Sequence, residues 1–180
     1  EYACLEIDKS TKLIRDKNKN LRQYVSFDQI DNKSFDIVCL FHVLEHIIDP
    51  VEFLSKCRKL LKNNGKLIIE VPSLNDPLLD LYKISEYEKF FFQKQHPYTY
   101  NGKSLSKLLE AVDFIVKNLI PHQRYDLENH LKWLSDGLPG GDAAYSEIFH
   151  SLNSTYRTCL EKNGYSDAVI AVAVEAEIRD

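Results

Sequence analysis

Methionine is absent from the 180-residue sequence, even at position 1, and other common features are missing too. No apolar run is long enough to cross a bilayer, and the start Glu1-Tyr2-Ala3-Cys4 is not a secretory signal peptide. The net charge is −4, from 23 Lys and Arg against 27 Asp and Glu, with no long block of one sign. General nucleic-acid binding depends on a basic surface, so we expect neither a membrane span nor a nucleic-acid partner.

The four cysteines contain no CxxC pair. Cys39 and Cys57 lie inside apolar patterns, so we predict buried thiols in a reducing compartment, and we expect a cytoplasmic protein. Hydrophobic residues make up 44% and charged residues 28% of the chain, which is a globular composition of a size that suits one domain. The sequence has no internal repeats and no low-complexity tracts.

Strand and helix patterns alternate along the chain. Strands are predicted at residues 2–7, 36–41, 66–71, 114–116 and 168–174, with a further short run at 23–27. Helical spacing is found at residues 8–17, 50–62, 105–112, 127–134 and 148–159, whereas residues 73–101 show aromatic side chains but no strong element. This alternation predicts an α/β fold with one doubly wound, mostly parallel sheet.

The helix that begins near residue 50 has the clearest boundary signals. Asp49 can cap it, Pro50 fits the first helical position, and Glu52 completes a capping box. Gly65 is predicted to supply the left-handed residue at its end. The strand at 36–41 is apolar without alternation, which predicts a strand covered on both faces, and a parallel crossover to the strand at 66–71 is expected.

Ligands of open α/β sheets bind at the carboxyl ends of the strands. Glu6 follows the first strand pattern, and a carboxylate there can accept hydrogen bonds from both hydroxyls of a ribose. Glu6 can equally be an ordinary solvated acid, and the residue alone does not decide between the two.

Three segments favour the ribose-binding interpretation of Glu6: SFDIV at 34–38, LEHIIDP at 44–50 and NGKLIIEVP at 64–72. In this order and at these distances they resemble the class I S-adenosylmethionine-dependent methyltransferases. QHPY at 95–98 and the leucines at 105–109 are similar to a further stretch of that group. The resemblance covers residues 2–120 and the last strand, and it implies a Rossmann-like fold with helical insertions after the fifth and sixth family strands.

The resemblance also implies a cofactor, S-adenosylmethionine, and a set of residues that bind it. Glu6 falls on the family's ribose-binding acid, and Ile7 would pack near the adenine. Phe27 and Asp28 would flank the base, and Phe41 and His42 would line the cofactor near a strand end. These six residues are the predicted cofactor-binding set: Glu6, Ile7, Phe27, Asp28, Phe41 and His42.

The predicted reaction is methyl transfer to a small-molecule acceptor, and a sugar or surface-polysaccharide precursor is suggested by a weaker resemblance within residues 121–165. His46 and His96 are the predicted catalytic residues, because imidazole exchanges protons near neutral pH. His46 can instead merely tether the loop before the capped helix, and His96 can belong to an aromatic packing segment.

We treat residues 1–180 as one domain, whose insertions at 73–101 and 121–165 cover the acceptor site.

The sequence departs from the family at its start. Only five residues precede Glu6, and no glycine occurs before Gly65, although the family's first strand and Gly-rich loop precede the ribose acid. Either the native chain extends before Glu1, or a strand is borrowed from elsewhere, since an open sheet edge is costly. We therefore expect residues 1–180 alone to bind S-adenosylmethionine weakly.

Two other interpretations stay open. One is a non-catalytic or incomplete methyltransferase-like domain that serves as an interaction module. The other is a zinc hydrolase, because residues 42–46 read H-x-x-E-H. Two histidines at that spacing share a metal only on a helix, and here the segment leaves a strand directly, so we interpret the match as chance and expect no metal. A homodimer is a further possibility, and neither the acceptor atom nor the oligomeric state can be read from the sequence.

Overall fold

The computed structural model describes residues 2–5, 21–140 and 147–176. Glu6, Ile7 and the predicted helix at 8–17 lie outside the described residues. Six strands are described: β1 (Tyr2–Leu5), β2 (Leu21–Tyr24), β3 (Phe35–Phe41), β4 (Leu61–Pro72), β5 (Phe114–His122) and β6 (Ala168–Glu175). Six α-helices accompany them: α1 (Pro50–Leu60), α2 (Pro77–Asp80), α3 (Ser85–Phe91), α4 (Gly102–Glu110), α5 (Leu127–Asp136) and α6 (Asn153–Lys162). The predicted α/β, Rossmann-like fold is confirmed.

The strands form two sheets within the described residues. β1 and β2 pair in parallel, and the other four strands form a sheet in the order β3-β4-β6-β5. β3 and β4 are parallel, as predicted, whereas β6 is antiparallel to both of its neighbours. Ala168, the first residue of β6, pairs with Pro72 and His122, the last residues of β4 and β5. The start of β6 therefore lies at the carboxyl edge of the parallel strands.

The boundaries of α1 test the sequence signals around it. Asp49 caps the helix, since its carboxylate accepts a hydrogen bond from the Glu52 backbone N–H at 2.9 Å, and Pro50 is the first helical residue. The predicted role of Gly65 is wrong, because the left-handed residue is Asn64, with φ of 64°. Gly65 is buried instead, and a Cβ there would lie 2.9 Å from the Lys62 carbonyl oxygen. Close backbone approach is therefore the physical reason for glycine at this position.

The main core lies between β3, β4, β6, β5 and the helices α1 and α4. Its fully buried side chains include Leu44, Leu54, Leu67, Ile69, Leu105 and Leu109. Cys57 is buried there, as predicted, but Cys39 is exposed, and Ile37 and Phe41 on the same strand are about half exposed. The prediction that β3 is covered on both faces is therefore wrong for the described structure, because Ile37, Cys39 and Phe41 alternate along the strand and so share one face, and that face is exposed.

A second, aromatic core joins the two insertions. It contains Leu78, Tyr87, Phe91 and Trp133, and the rings of Tyr87 and Trp133 lie edge to face with centroids 4.9 Å apart. The expectation that residues 73–101 have no strong secondary-structure element is therefore wrong, because α2 and α3 form there. These helices are stabilised by packing of side chains such as Leu78 against Trp133 of α5. None of the described helices is long and apolar enough to cross a membrane.

Candidate functional site

Four strand ends meet at the carboxyl edge of the four-stranded sheet. His42 directly follows β3, Glu70 lies near the end of β4, Arg124 follows β5, and Asp167 immediately precedes β6. Asp167 belongs to this edge only because β6 runs antiparallel to its neighbours. The topology thus gathers ionisable side chains from distant parts of the sequence.

His42 is held by two carboxylates. Its Nδ1 lies 3.3 Å from Glu45 Oε1 and its Nε2 lies 2.9 Å from Glu70 Oε1. The hydrogen bond to Glu45 is the main cause that raises the pKa of His42. The backbone of His42 has φ of 53°, in the left-handed region that non-glycine residues seldom adopt. Strained backbone of this kind is found preferentially at functional sites.

Arg124 adds a positive charge to the same cluster. Its Nη1 lies 2.5 Å from His42 Nε2 and 3.8 Å from Glu70 Oε1. A neutral His42 that donates from Nδ1 to Glu45 can accept the Arg124 N–H at Nε2, whereas a charged His42 donates from Nε2 to Glu70. The protonation of His42 therefore decides whether its Nε2 pairs with Arg124 or with Glu70.

The guanidinium of Arg124 is itself fixed by a buried carboxylate. Asp167 accepts hydrogen bonds from the Arg124 backbone N–H at 2.7 Å and from Nε at 3.0 Å. The Asp167 backbone N–H in turn donates to Gln123 Oε1 at 3.1 Å. Burial raises the pKa of Asp167, and the hydrogen bonds and charge of Arg124 oppose that rise.

His46 and His96, the two predicted catalytic residues, lie together although they are distant in sequence. Their ring centroids are 4.7 Å apart, with the planes at 63°. His46 Nδ1 lies 3.0 Å from the Gln95 carbonyl oxygen, which can only accept a hydrogen bond, so Nδ1 carries the proton in this contact. The contact joins the two loops, as a tethering role for His46 would require, and it leaves Nε2 as the ring atom with an available lone pair.

Glu45 is a site residue that the sequence analysis missed. Its side chain is buried, at 2% exposure, and an oxygen of its carboxylate lies within 4.8 Å of a ring nitrogen of both His46 and His96. The short 3-10 turn Leu44–His46 directs it inward. The only signal in the sequence was its place in the motif between Leu44 and His46, because a buried carboxylate cannot be told from a solvated one by its position in the chain.

The H-x-x-E-H match does not form a zinc-peptidase site. His42 and His46 lie on either side of a 3-10 turn rather than on one helix, and the two rings have different partners. His42 contacts Glu45 and Glu70, whereas His46 contacts His96. The zinc hydrolase interpretation is therefore not favoured.

Three other predicted cofactor residues lie within the described structure: Phe27 and Asp28, which follow β2, and Phe41, the last residue of β3. Phe27 packs edge to face on Phe53, with ring centroids 5.4 Å apart. Asp28 is exposed, and one of its carboxylate oxygens accepts a hydrogen bond from Ser26 Oγ at 3.3 Å. Phe41, at the end of β3, is 56% exposed. The Phe41 ring and the Asp28 carboxylate are therefore accessible from solvent, whereas both ring nitrogens of His42 already have protein partners.

A buried polar network lies behind the edge, and no local sequence pattern predicted it. Gln123 Nε2 donates to His130 Nε2 at 3.3 Å, and His130 Nδ1 lies 2.6 Å from the Tyr156 hydroxyl, which lies 2.9 Å from that of Tyr82. Burial lowers the pKa of His130 to about 4, so the ring is neutral at physiological pH. The network connects the insertion at 121–165 to Asp167 through Gln123.

A buried carboxylate, Asp76, supports the aromatic core. It accepts hydrogen bonds from the Tyr87 hydroxyl at 2.6 Å and from the Leu78 backbone N–H at 2.7 Å. Burial raises the pKa of Asp76 to about 6 in spite of these bonds. Asp76 thus fixes the position of α3 relative to the end of β4.

Comparisons with known proteins agree with this architecture. A family model described as a methyltransferase domain matches residues 2–118. The ubiquinone biosynthesis O-methyltransferase of Caulobacter vibrioides is 36% identical over 81 residues, which are 45% of this chain and 31% of that protein. The enzyme of the same name from Bradyrhizobium diazoefficiens is 33% identical over 69 residues, 37% of this chain and 27% of that protein. The matched part thus spans less than a third of these curated relatives.

Solved structures show the same fold at low sequence identity. A SAM-dependent methyltransferase from Archaeoglobus fulgidus has a TM-score of 0.58 at 17% identity, covering 96% of this chain and 75% of that chain. A methyltransferase from Haloferax volcanii, solved with the Trm112 activator, has a TM-score of 0.65 at 15% identity, covering 97% and 72%. The family match over residues 2–118 agrees with the strand order β3-β4-β6-β5 and with the antiparallel β6. The chain therefore belongs to the methyltransferase domain family, in its class I, S-adenosylmethionine-dependent group.

Proposed function

We propose that this chain is an enzyme domain that transfers the methyl group of S-adenosylmethionine to a small-molecule acceptor. The observation that carries the proposal is the convergence of His42, Glu70, Arg124 and Asp167 at one strand edge, beside the exposed ring of Phe41. Such an edge is where open α/β sheets bind their ligands. Membership of the methyltransferase family supports methyl transfer as the reaction that would take place there.

The cofactor would be held by the predicted set of residues. Glu6 would accept hydrogen bonds from the ribose, Ile7 would pack on the adenine, and Phe27 and Asp28 would flank the base. Phe41 offers an exposed apolar face for the cofactor, and His42 contributes van der Waals contact through its ring. S-adenosylmethionine, when bound, supplies a methyl group on a sulfonium, which is a good leaving group, so the work of the protein is mainly positioning.

His46 and His96 are proposed to orient the acceptor and to receive its proton. Their adjacency supports the role, since two imidazoles at one point can share the tasks of hydrogen-bond donor and proton acceptor. His46 is exposed and His96 half-buried, so the pair is open to a ligand from solvent.

The insertions at 73–101 and 121–165 are proposed to cover the acceptor site of a single domain, residues 1–180. The packing of α3 against α5 through Tyr87 and Trp133 supports this role, because it fastens the two insertions to each other. The curated relatives are named for O-methylation in ubiquinone biosynthesis, and they lend no support to the sugar-precursor acceptor suggested by the sequence. The homodimer stays a prediction.

The experiment that tests the proposal is calorimetric titration of the chain with S-adenosylhomocysteine, the product of methyl transfer. We expect weak but saturable binding that is reduced in Phe41→Ala and Asp28→Asn. Ile115→Ala, an exposed side chain near the start of β5, is the matched control and should leave binding unchanged. Absence of binding by both the wild-type chain and the control would favour the non-catalytic interaction module instead, and micromolar binding would contradict the expectation of an incomplete pocket.

A further inference from the structure

The Nε2 atom of His42 has two partners that require opposite states of that atom. Glu70 Oε1 lies 2.9 Å from Nε2, and a carboxylate can only accept a hydrogen bond. Arg124 Nη1 lies 2.5 Å from Nε2, and a guanidinium can only donate one. Because a ring nitrogen carries either a proton or a lone pair, Nε2 satisfies one of these partners at a time. The two contacts are therefore alternatives rather than parts of one fixed network.

Glu45 determines which nitrogen of His42 gains and loses the proton. The buried carboxylate of Glu45 lies 3.3 Å from Nδ1, measured to Oε1. Since this carboxylate only accepts hydrogen bonds, Nδ1 keeps its proton in both the neutral and the charged ring. The proton that varies is then the one on Nε2, the atom that Glu70 and Arg124 share.

Arg124 is anchored on the side of its guanidinium that faces away from His42. Asp167 accepts hydrogen bonds from the Arg124 backbone N–H and from Nε, at 2.7 and 3.0 Å. The distal Nη1 instead lies beside His42, with Glu70 Oε1 at 3.8 Å. The Arg124 side chain is 32% exposed, so its distal nitrogens can turn toward solvent. A charged His42 would repel Nη1 while the contacts to Asp167 stay in place.

Among the described residues, the charged groups around His42 come from all four strand ends. Glu45 follows β3, Glu70 lies on β4, Arg124 follows β5, and Asp167 precedes β6 on the far side of Arg124. Three carboxylates and one guanidinium give this group a formal charge of −2 when His42 is neutral, and −1 when His42 is charged. Proton uptake by His42 therefore makes the edge less attractive to a cation.

We propose that protonation of His42 is a switch that sets the position of Arg124 and the affinity of this edge for a cationic ligand. The neutral ring accepts a hydrogen bond from Nη1 and holds Arg124. The charged ring donates from Nε2 to Glu70 and turns Nη1 away. The inference rests on the proposed function, which identifies the cation as the sulfonium of S-adenosylmethionine, so the switch regulates how tightly the chain binds its cofactor.

The pH range of the switch follows from the partners of His42. The hydrogen bond to Glu45 is the main cause that raises the pKa of His42 above its ordinary value of 6.5. Burial and the charge of Arg124 oppose this rise, and the hydrogen bond to Glu70 adds to it. His42 is charged below the raised pKa and neutral above it. Arg124 is therefore held at higher pH and turned away as the pH falls through a midpoint above 6.5.

The first measurement follows both side chains by NMR during a pH titration of the chain without ligand. We expect the Arg124 Nε resonance to change with the same midpoint as the His42 ring, above pH 6.5. Arg58, whose Nη1 pairs with Asp113 at 2.7 Å, is an internal control whose Nε resonance should stay constant. A His42 transition that leaves the Arg124 resonance unchanged overturns the switch.

Variants identify the cause of the change at Arg124. His42→Asn should abolish it, whereas His150→Asn, at an exposed histidine outside the cluster, should leave it intact. Glu70→Gln should lower the His42 midpoint, because Nε2–H loses a charged acceptor, and Glu110→Gln on exposed α4 should not. A change at Arg124 that persists in His42→Asn overturns the switch. The wild-type titration decides the question even where a variant fails to fold.

The second measurement compares the affinities of S-adenosylmethionine and S-adenosylhomocysteine, which lacks the sulfonium charge. Both carry the same amino and carboxyl groups, so the ratio of the two affinities cancels the titration of these groups. Calorimetry one pH unit above and one below the His42 midpoint measures this ratio. We expect the preference for S-adenosylmethionine to fall about threefold when His42 becomes charged, and to stay constant in His42→Asn.

The outcome is separable from that of the proposed function. The NMR titration requires no cofactor, so it decides the switch in the chain alone. Absence of binding by both compounds contradicts the methyltransferase proposal. Binding of both compounds with a ratio that does not depend on pH contradicts the switch and leaves the methyltransferase proposal standing.

Discussion

At the scale of single residues, His130 shows how burial converts an ordinary side chain into a pH-dependent one. Its ring is 1% exposed and lies between Gln123 and Tyr156, and this burial disfavours the charged form. Its pKa falls from 6.5 in the unfolded chain to about 4 in the folded one. Between these values the unfolded chain binds a proton that the folded chain does not, so stability falls as the pH falls.

We predict that His130→Gln removes this pH dependence. The amide can still donate to or accept from its neighbours but cannot take up a proton. As the pH falls from above 6.5 to about 4, the wild-type chain should lose on the order of 3 kcal/mol more stability than the variant. Urea unfolding at a series of pH values measures the difference. Parallel stability profiles for the two proteins would show that His130 is not buried in its neutral form.

Only some of the polar residues at the carboxyl edge of the four-stranded sheet could be predicted from the sequence. His42 and His46 were identified because they fall within a motif that is contiguous in sequence. Arg124 and Asp167 were not, because the Arg124–Asp167 contact joins residues 43 apart and the Arg124–His42 contact joins residues 82 apart. Contacts of this kind are set by which strands become neighbours, and no local pattern encodes them.

At the scale of secondary-structure elements, α1 depends on a single cap. Asp49 accepts the Glu52 backbone N–H, which has no partner within the helix, and Pro50 has no N–H that needs one. The Glu52 side chain pairs with Lys56 Nζ at 2.8 Å. The start of α1 also positions the turn that holds Glu45 and His46, so the cap connects helix stability to the site.

Asp49→Ala should destabilise the chain by about 1 kcal/mol, the usual cost of losing an N-cap side chain. Chemical denaturation followed by far-UV circular dichroism measures this cost. Asp31→Ala, an exposed aspartate outside any helix, should change stability by less than about 0.5 kcal/mol. Equal effects of the two substitutions would mean that the Asp49 cap contributes nothing to the native state.

The accuracy of sequence-based prediction also varies by element. The start of α1 and the existence of β3, β4 and β6 follow from local spacing, and these predictions are confirmed. The end of α1 was assigned to Gly65, yet Asn64 adopts the left-handed conformation, because glycine was needed for close packing instead. β5 continues through Pro121 to His122, which an end strand tolerates since one of its edges needs no partner.

At the scale of the whole molecule, the described chain has two cores of unequal size. Sixteen buried residues form the main core under the four-stranded sheet, and four form the aromatic core between α2, α3 and α5. Less buried apolar surface means a smaller free energy of local unfolding. The insertions are therefore the less stable part of the described structure.

Trp133, the single tryptophan in the sequence, lies in the aromatic core and reports on it alone. We predict that its fluorescence changes at a lower urea concentration than the far-UV circular dichroism signal, because the aromatic core unfolds first. Tyr87→Ala, which removes the ring packed on Trp133, should widen the separation. Coincident transitions for both probes would mean that the two cores unfold as one cooperative unit.

The position of β6 has a consequence for the order in which the molecule is built. β6 separates β4 from β5, so β5 has no hydrogen-bonded neighbour in its sheet until the last described strand is synthesised and inserted between them. Before that moment Arg124 has no Asp167 to hold it. A nascent chain on the ribosome would therefore carry an open strand and an unassembled site until β6 emerges, and chaperone contact with β5 during synthesis is the expected protection.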